Sequence, residues 1–292
     1  MTQPNGKGRL AKRIARAVLP PVVTSAYRAA RRRTREEAPA DWEYLPGGWP
    51  QPSADSPGWN ADSVVATQLE RWPDFVKSVA PPAPFGLSNE SAGGPPDYGV
   101  HNTIMTFGYV LARAAQGRRR LSMLDWGGGL GHYCVNARAL LPDLQLDYYC
   151  RDLPNLVAGG RTVLPDATFY VDEKEALAGR YDLVVASSSL HYSRDWRGVL
   201  AGLATATTGY LYVTRQPFVK TADSFVVVQR PHRFGYQTEY PGWFLNRDEF
   251  LSATTDLGLQ LLREFLIWEI PNVPNAPEAA DYRGFLFSPA GR

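Results

Sequence analysis

Leu124-Asp125-Trp126-Gly127-Gly128-Gly129-Leu130-Gly131 ends an apolar run that begins at Leu121 and leads into a segment, residues 132–140, with helical spacing of its apolar side chains. A strand that turns into a helix through glycines offers bare backbone to a ligand, because glycine accepts left-handed torsions and carries no side chain. The helix that follows presents unpaired N–H groups at its positive end, which favours negative charge there. The spacing separates two kinds of site. A dinucleotide fingerprint, Gly-x-Gly-x-x-Gly, started at Gly127 would put its third glycine on His132. The other spacing, Gly-x-Gly-x-Gly through Gly127, Gly129 and Gly131 with Asp125 two positions ahead, is complete.

Outward from this turn, short apolar runs alternate with helical segments, the pattern of a parallel sheet with crossover helices. Strands are expected at residues 122–126, 146–150, 168–171, 183–186 and 210–214, and helices at 132–140, 153–163, 194–206 and 247–257. Two further strands, at 261–269 and 285–287, suit an antiparallel hairpin at the sheet edge. The fold class is therefore α/β, a doubly wound, Rossmann-like and mostly parallel sheet. Upstream, residues 36–60 are rich in Pro, Gly and Trp and read as an irregular segment packing aromatics onto the body. Helices are expected at 63–72, with Asp62 as a possible cap, and at 101–115. Three parts result: a tail over 1–35, a cap or lid over 36–118 and a ligand-binding domain over 119–292.

The motif resembles motif I of class I methyltransferases that use S-adenosylmethionine. That resemblance implies that the glycine turn passes under the methionine part of the cofactor, with Asp125 oriented towards its amino group directly or through water. It also implies an acidic ribose ligand at the end of the next strand. Asp152, in Tyr149-Cys150-Arg151-Asp152-Leu153-Pro154, stands there, and the same residue could cap the helix starting at Leu153. Asp-Leu-Pro at this place is similar to small-molecule O-methyltransferases. Asp172 matches the position that often contacts adenine, with Glu173 as the alternative. Tyr181 to Tyr192 resembles the fourth motif, which would set Ser187, Ser188 and Ser189 beside the cofactor and His191 and Tyr192 on the substrate side.

Over about residues 40–287 the chain is also similar to a little-characterised bacterial group of methyltransferase-like proteins associated with surface-polysaccharide gene sets. The carrying residues are the glycine motif, Ser187-Ser-Ser-Leu-His-Tyr192, Thr214-Arg-Gln-Pro217 and the Gly- and Trp-rich stretch upstream. The implied activity is methyl transfer, with a small-molecule or glycan-type acceptor and O-methylation as the leading chemistry. His191 is the first candidate base and His232 the second, since imidazole accepts a proton near neutral pH. Packing or capping is the other reading of His191. Arg215, Arg230 and Arg233 could hold an anionic acceptor.

Composition narrows the alternatives. The first 35 residues hold ten Lys and Arg and no acidic residue, so the remainder of this net +2 chain carries −8. The basic partner signal thus belongs to the tail. Leu10, Ile14 and Val18 there fit either a basic amphipathic helix for peripheral membrane contact or a solvated tail. No specific nucleic-acid motif appears. Cys134 and Cys150 show no metal-ligand spacing, so no metal is expected and a reducing cytoplasm fits. No run approaches the roughly 18 apolar residues of a membrane-spanning helix. Without a Gly-x-Ser-x-Gly elbow a hydrolase is disfavoured. Two rivals persist: a non-catalytic binding module on the same fold, and an NAD(P)-dependent oxidoreductase.

Overall fold

The computed structural model describes residues 41–51, 57–88, 97–267 and 271–291. The basic tail, with its expected amphipathic helix, lies outside the described residues. In chain order the elements are β1 (Trp42–Leu45), α1 (Asp62–Val79), α2 (Tyr98–Ala115), β2 (Arg120–Trp126), α3 (His132–Leu140), β3 (Gln145–Arg151), α4 (Pro154–Val163) and β4 (Thr168–Tyr170). These are followed by α5 (Glu173–Leu177), β5 (Tyr181–Ser187), α6 (Trp196–Ala206), β6 (Thr207–Val219), β7 (Phe225–Gln229), β8 (Tyr240–Asn246), α7 (Arg247–Asp256), β9 (Leu259–Leu266) and β10 (Asp281–Pro289).

Five parallel strands form the centre in the spatial order β4, β3, β2, β5, β6, so the chain runs outward from β2 in one direction and then returns to its other side. This is the doubly wound α/β sheet expected of the sequence, with its switch point between β2 and β5. Strand period decides the faces. Leu121, Met123, Leu183 and Val185 point into a core shared with α1, α2, α3 and α4. Leu124, Trp126, Val184 and Ala186 point the other way, against α6 and α7. Both faces are covered, which is why β2 and β5 read as continuous apolar runs rather than alternating ones.

β6 is longer than expected and explains the rest of the architecture. Phe218 pairs with Asp281 of β10 and with Leu245 of β8, and these partners must occupy opposite edges of the strand. β10 runs antiparallel along one edge and carries β9 outward as a hairpin. On the other edge β5 ends at Ser187, opposite Thr214, and β8 takes over at Phe218. β8 then pairs with β7, and β7 with β1. A three-stranded wall therefore rises past the C-terminal end of β5, closed by a small core of Trp42, Val219, Phe225, Val227 and Phe244.

Helix α1 continues through Pro73 to Val79, beyond the end expected near Trp72. Proline removes one backbone donor, yet Val64, Gln68, Trp72, Phe75 and Val79 keep one buried stripe throughout. Burial of that stripe outweighs the local penalty. Asp62 is the first helical residue and makes no side-chain cap, Ala61 holding the cap position. Asp97 does cap α2, its carboxylate accepting the N–H groups of Gly99 and Val100 at 2.7 and 3.0 Å. Among the described residues no helix is long and apolar enough to cross a membrane.

Candidate functional site

The C-terminal ends of β2, β3 and β5 open into a cleft of about 1210 Å³. Small-molecule pockets commonly span about 300–1,000 Å³, so this one has room for two ligands side by side. Its floor is the turn from Trp126 to Gly129, with Asp152 on one side and Ser187 to Ser189 on the other.

The turn is shaped by contacts only glycine permits. Gly127 has φ +72°, and a Cβ there would collide with the side chain of Ser189, whose hydroxyl donates to the Trp126 carbonyl at 2.7 Å. A Cβ on Gly128 would strike the Asp125 carboxyl beneath it and the Cys150 sulfur. Gly129 donates its N–H to Asp152 Oδ2 at 2.7 Å, and Leu153 donates to Asp152 Oδ1 at 2.7 Å. Asp152 is 6% exposed, and burial pushes its carboxyl above the usual range although both N–H bonds pull it down. Gly131, with φ +96°, is the residue from which α3 starts.

Asp125 sits under the turn, fully buried and outside the cleft lining. Tyr148 donates its hydroxyl to Asp125 Oδ2 at 2.6 Å, while Oδ1 has no hydrogen-bond partner. Burial raises this carboxyl to about 7, the Tyr148 bond opposing the rise and nearby Asp152 adding to it. Asp172 does not line this cleft: it caps α5, accepting the N–H groups of Lys174 and Glu175 at 2.7 and 3.0 Å, which holds its carboxyl low. Its neighbour Glu173 does line the cleft, paired at 2.5 Å with Arg151. The Arg151 guanidinium lies 4.7 Å from the centre of the Trp126 ring.

Ser187, Ser188 and Ser189 all reach the cleft. Ser188, just past the end of β5, has φ +50° and Arg215, within the neighbouring β6, φ +49°, so a left-handed residue on each strand lies beside the cleft. Ser187 accepts from the Tyr133 hydroxyl at 2.9 Å. His191 is fully buried behind the wall, its ring 3.9 Å from that of Tyr192 and against Gly242. Burial holds its pKa down to about 3, the Gln216 amide beside it opposing and Arg215 adding to the depression. His232 is exposed on a short turn and does not line the cleft, although Pro231, Arg233 and Phe234 around it do. Arg230 is held by Glu43 at 2.6 Å and Glu239 at 2.8 Å, and Arg233 by Asp41 at 2.9 Å. Both arginines thus tie β1 and its approach to the wall.

Among the further residues lining the cleft, Tyr236, Gln68 and Asn136 escaped the sequence reading, whereas Trp59 was expected as a stacking surface and Tyr192 and Tyr240 on the substrate side. Trp59 stacks on Tyr240, ring centres 4.3 Å apart, with Tyr192 and Tyr236 against its edge. Gln68 and Asn136 are each 6% exposed and line the cleft. A glutamine within the apolar stripe of α1 was the available signal, since a polar group in that position needs a partner. Asn136 follows His132 by one helical turn and shares its face.

The methyltransferase domain family matches residues 106–263, more than half of the chain. Solved structures similar to the chain include an S-adenosylmethionine-dependent methyltransferase from Clostridium acetobutylicum, 10% identical, covering 65% of this chain and 92% of its own, with a TM-score of 0.45. A second is the O-methyltransferase from the trans-AT PKS multienzyme of Brevibacillus brevis in complex with S-adenosyl-L-homocysteine, 11% identical, covering 63% and 72%, with a TM-score of 0.46. A third is the mitomycin 7-O-methyltransferase, 15% identical, covering 80% and 70%, with a TM-score of 0.46. No curated protein matches the chain.

Proposed function

The chain belongs to the methyltransferase domain family, and from that premise we propose that it transfers the methyl group of S-adenosylmethionine to an oxygen of a small-molecule or glycan-type acceptor. The observation that carries the reading is the continuity of the cleft, which runs from the glycine turn and Asp152 to an aromatic wall of Trp59, Tyr192, Tyr236 and Tyr240. The residues at the turn fit the cofactor. Left-handed Gly127 and Gly129 leave backbone open to it, and the buried Asp152 carboxylate keeps lone pairs for ribose hydroxyls beyond the two N–H bonds it accepts.

When bound, the sulfonium supplies an electrophilic methyl group that an acceptor oxygen takes by in-line displacement. The protein's share is alignment and exclusion of water. Ser187 to Ser189, fixed by Tyr133 and by the Trp126 carbonyl, border the reacting end of the cleft. The stacked Trp59 and Tyr240 offer a flat apolar face suited to a sugar ring or an aromatic acceptor. With its pKa held near 3, the enclosed His191 is a weak proton acceptor. We assign it to supporting Tyr192, so the proton of a hydroxyl acceptor passes to bulk solvent at the cleft mouth and not to an imidazole base. The free, buried Cys134 and Cys150 suit a reducing compartment, and we propose the basic tail as a contact for anionic lipid surfaces, tested by salt-dependent vesicle binding.

Calorimetric titration with S-adenosylmethionine and with NADH tests the cofactor, followed by incubation with methyl-labelled S-adenosylmethionine and panels of sugars, phenols and carboxylates. Binding of the sulfonium alone and label transfer to a hydroxyl compound are expected. Binding of NADH alone, or label transfer only to nitrogen, would overturn the reading.

A further inference from the structure

Gln68 and Asn136 stand out among the cleft residues because each is buried, each lines the cleft, and the side-chain oxygen of each lacks a hydrogen-bond partner. They come from different elements, α1 and α3: Gln68 reaches the glycine turn, and Asn136 lines the same cleft one helical turn beyond His132. Gln68 Oε1 is 3.3 Å from where a Cβ on Gly129 would stand, and the His132 ring is 3.6 Å from the same point. Its amide nitrogen is turned away, donating to the Tyr236 hydroxyl at 3.4 Å. The carbonyl end is therefore the one left facing the turn. Buried carboxamide oxygens without donors are costly, and two of them lining one cleft call for a ligand rich in N–H donors.

The helix start supplies the complementary half. α3 begins immediately after Gly131, so its free N–H groups suit a carboxylate. An ammonium and a carboxylate on one carbon would satisfy both halves together. Asp125 lies beneath the turn, against Gly128 and bonded to Tyr148 through Oδ2, and does not line the cleft that Gln68 and Asn136 line. Resting on the cofactor reading above, we propose that Gln68 and Asn136 grip the α-ammonium of the cofactor's amino-acid end. The N-terminal helix α1 thereby becomes part of the cofactor site and not merely a cover for the acceptor.

The test compares two ligands that share adenosine and sulfur but differ in the amino-acid arm, S-adenosylhomocysteine and 5′-methylthioadenosine, by calorimetry on the full chain. Losing a hydrogen bond to a charged group corresponds to about a ten-fold or larger drop in affinity. Gln68→Met and Asn136→Leu are each expected to weaken S-adenosylhomocysteine by about that factor and to leave 5′-methylthioadenosine within about two-fold, which also shows that the variants fold. Unchanged S-adenosylhomocysteine binding, or equal loss of both ligands in both variants, would overturn the inference. Failure of the unaltered protein to bind either ligand would instead remove the cofactor reading on which it rests.

Discussion

Gly129 gives its backbone N–H to Asp152 Oδ2 across 2.7 Å, so the glycine turn after β2 and the end of β3 are locked to one another by a buried carboxylate. The same carboxylate holds Leu153 at the entry to α4. Asp152→Ala removes both tethers and any ribose contact at once. A buried N–H left unpaired costs about 1–3 kcal/mol, so urea denaturation should show a loss of that size. Calorimetry should show a larger, at least about ten-fold, loss of S-adenosylmethionine affinity. Asp152→Asn keeps an acceptor and should restore stability more fully than binding.

Gly127 and Gly117 have nearly the same torsion, φ +72° and +73°, but different surroundings. A Cβ on Gly127 meets Ser189, whereas one on Gly117 meets nothing within 4 Å. Alanine at either position carries the left-handed strain of about 1 kcal/mol. Gly127→Ala must also displace Ser189 from the Trp126 carbonyl. Its melting temperature should therefore fall well below that of Gly117→Ala, and its cofactor binding should be lost while that of Gly117→Ala persists. Equal behaviour of the two variants would contradict the tight fit between the turn and the β5 loop.

Asp125 and His191 give the stability–pH curve two opposed slopes. The Asp125 carboxyl, raised from 3.8 to about 7, binds more protons folded than unfolded between those values, so its contribution declines as pH rises through that window. His191, lowered from 6.5 to about 3, binds fewer protons folded, so its contribution is lost as pH falls below 6.5 towards 3. The unaltered protein should show a shallow dependence across the shared window. Asp125→Asn should expose a curve that rises with pH, and His191→Gln one that falls. Denaturant midpoints measured from pH 4 to 7 check both signs, and parallel curves in all three proteins would reject them.

How much of this was legible depended on whether the signal was local. The glycine turn, the five parallel strands and α3 could be read because an apolar run, a glycine spacing and a helical period all sit within a few residues. The wall of β1, β7 and β8 could not. Tyr240–Asn246 carries Pro241 and Gly242, residues that argue against a strand unless a partner is known. Phe225–Gln229 was a readable β-branched run with no sequence-level sign of its place beyond β5. Asp125 and Asp172 were expected beside the ligand through the resemblance of their positions to the family's motifs. Spacing does not reveal that Gly128 lies over one or that the other turns back to cap α5. Gln68 and Asn136 lie 68 residues apart in the chain, and only the packing of α1 onto α3 joins them.

Trp59 tests whether the aromatic wall serves the acceptor. Its ring stacks on Tyr240 at 4.3 Å and borders Tyr192 and Tyr236, and its indole N–H is buried without a hydrogen-bond partner. If that face receives a planar or sugar-like acceptor, Trp59→Ala removes a stacking surface worth about 0.5–1.5 kcal/mol beyond area burial. The acceptor KM should then rise by about three- to ten-fold or more. Trp59→Phe, which keeps a ring but not the N–H, should fall between the two. S-adenosylhomocysteine affinity should change little in either variant, because Trp59 packs with the wall and not with the turn. A loss of cofactor affinity equal to the rise in acceptor KM would place Trp59 at the cofactor, and the acceptor would then have to occupy the other end of the cleft, nearer Arg151 and Glu173.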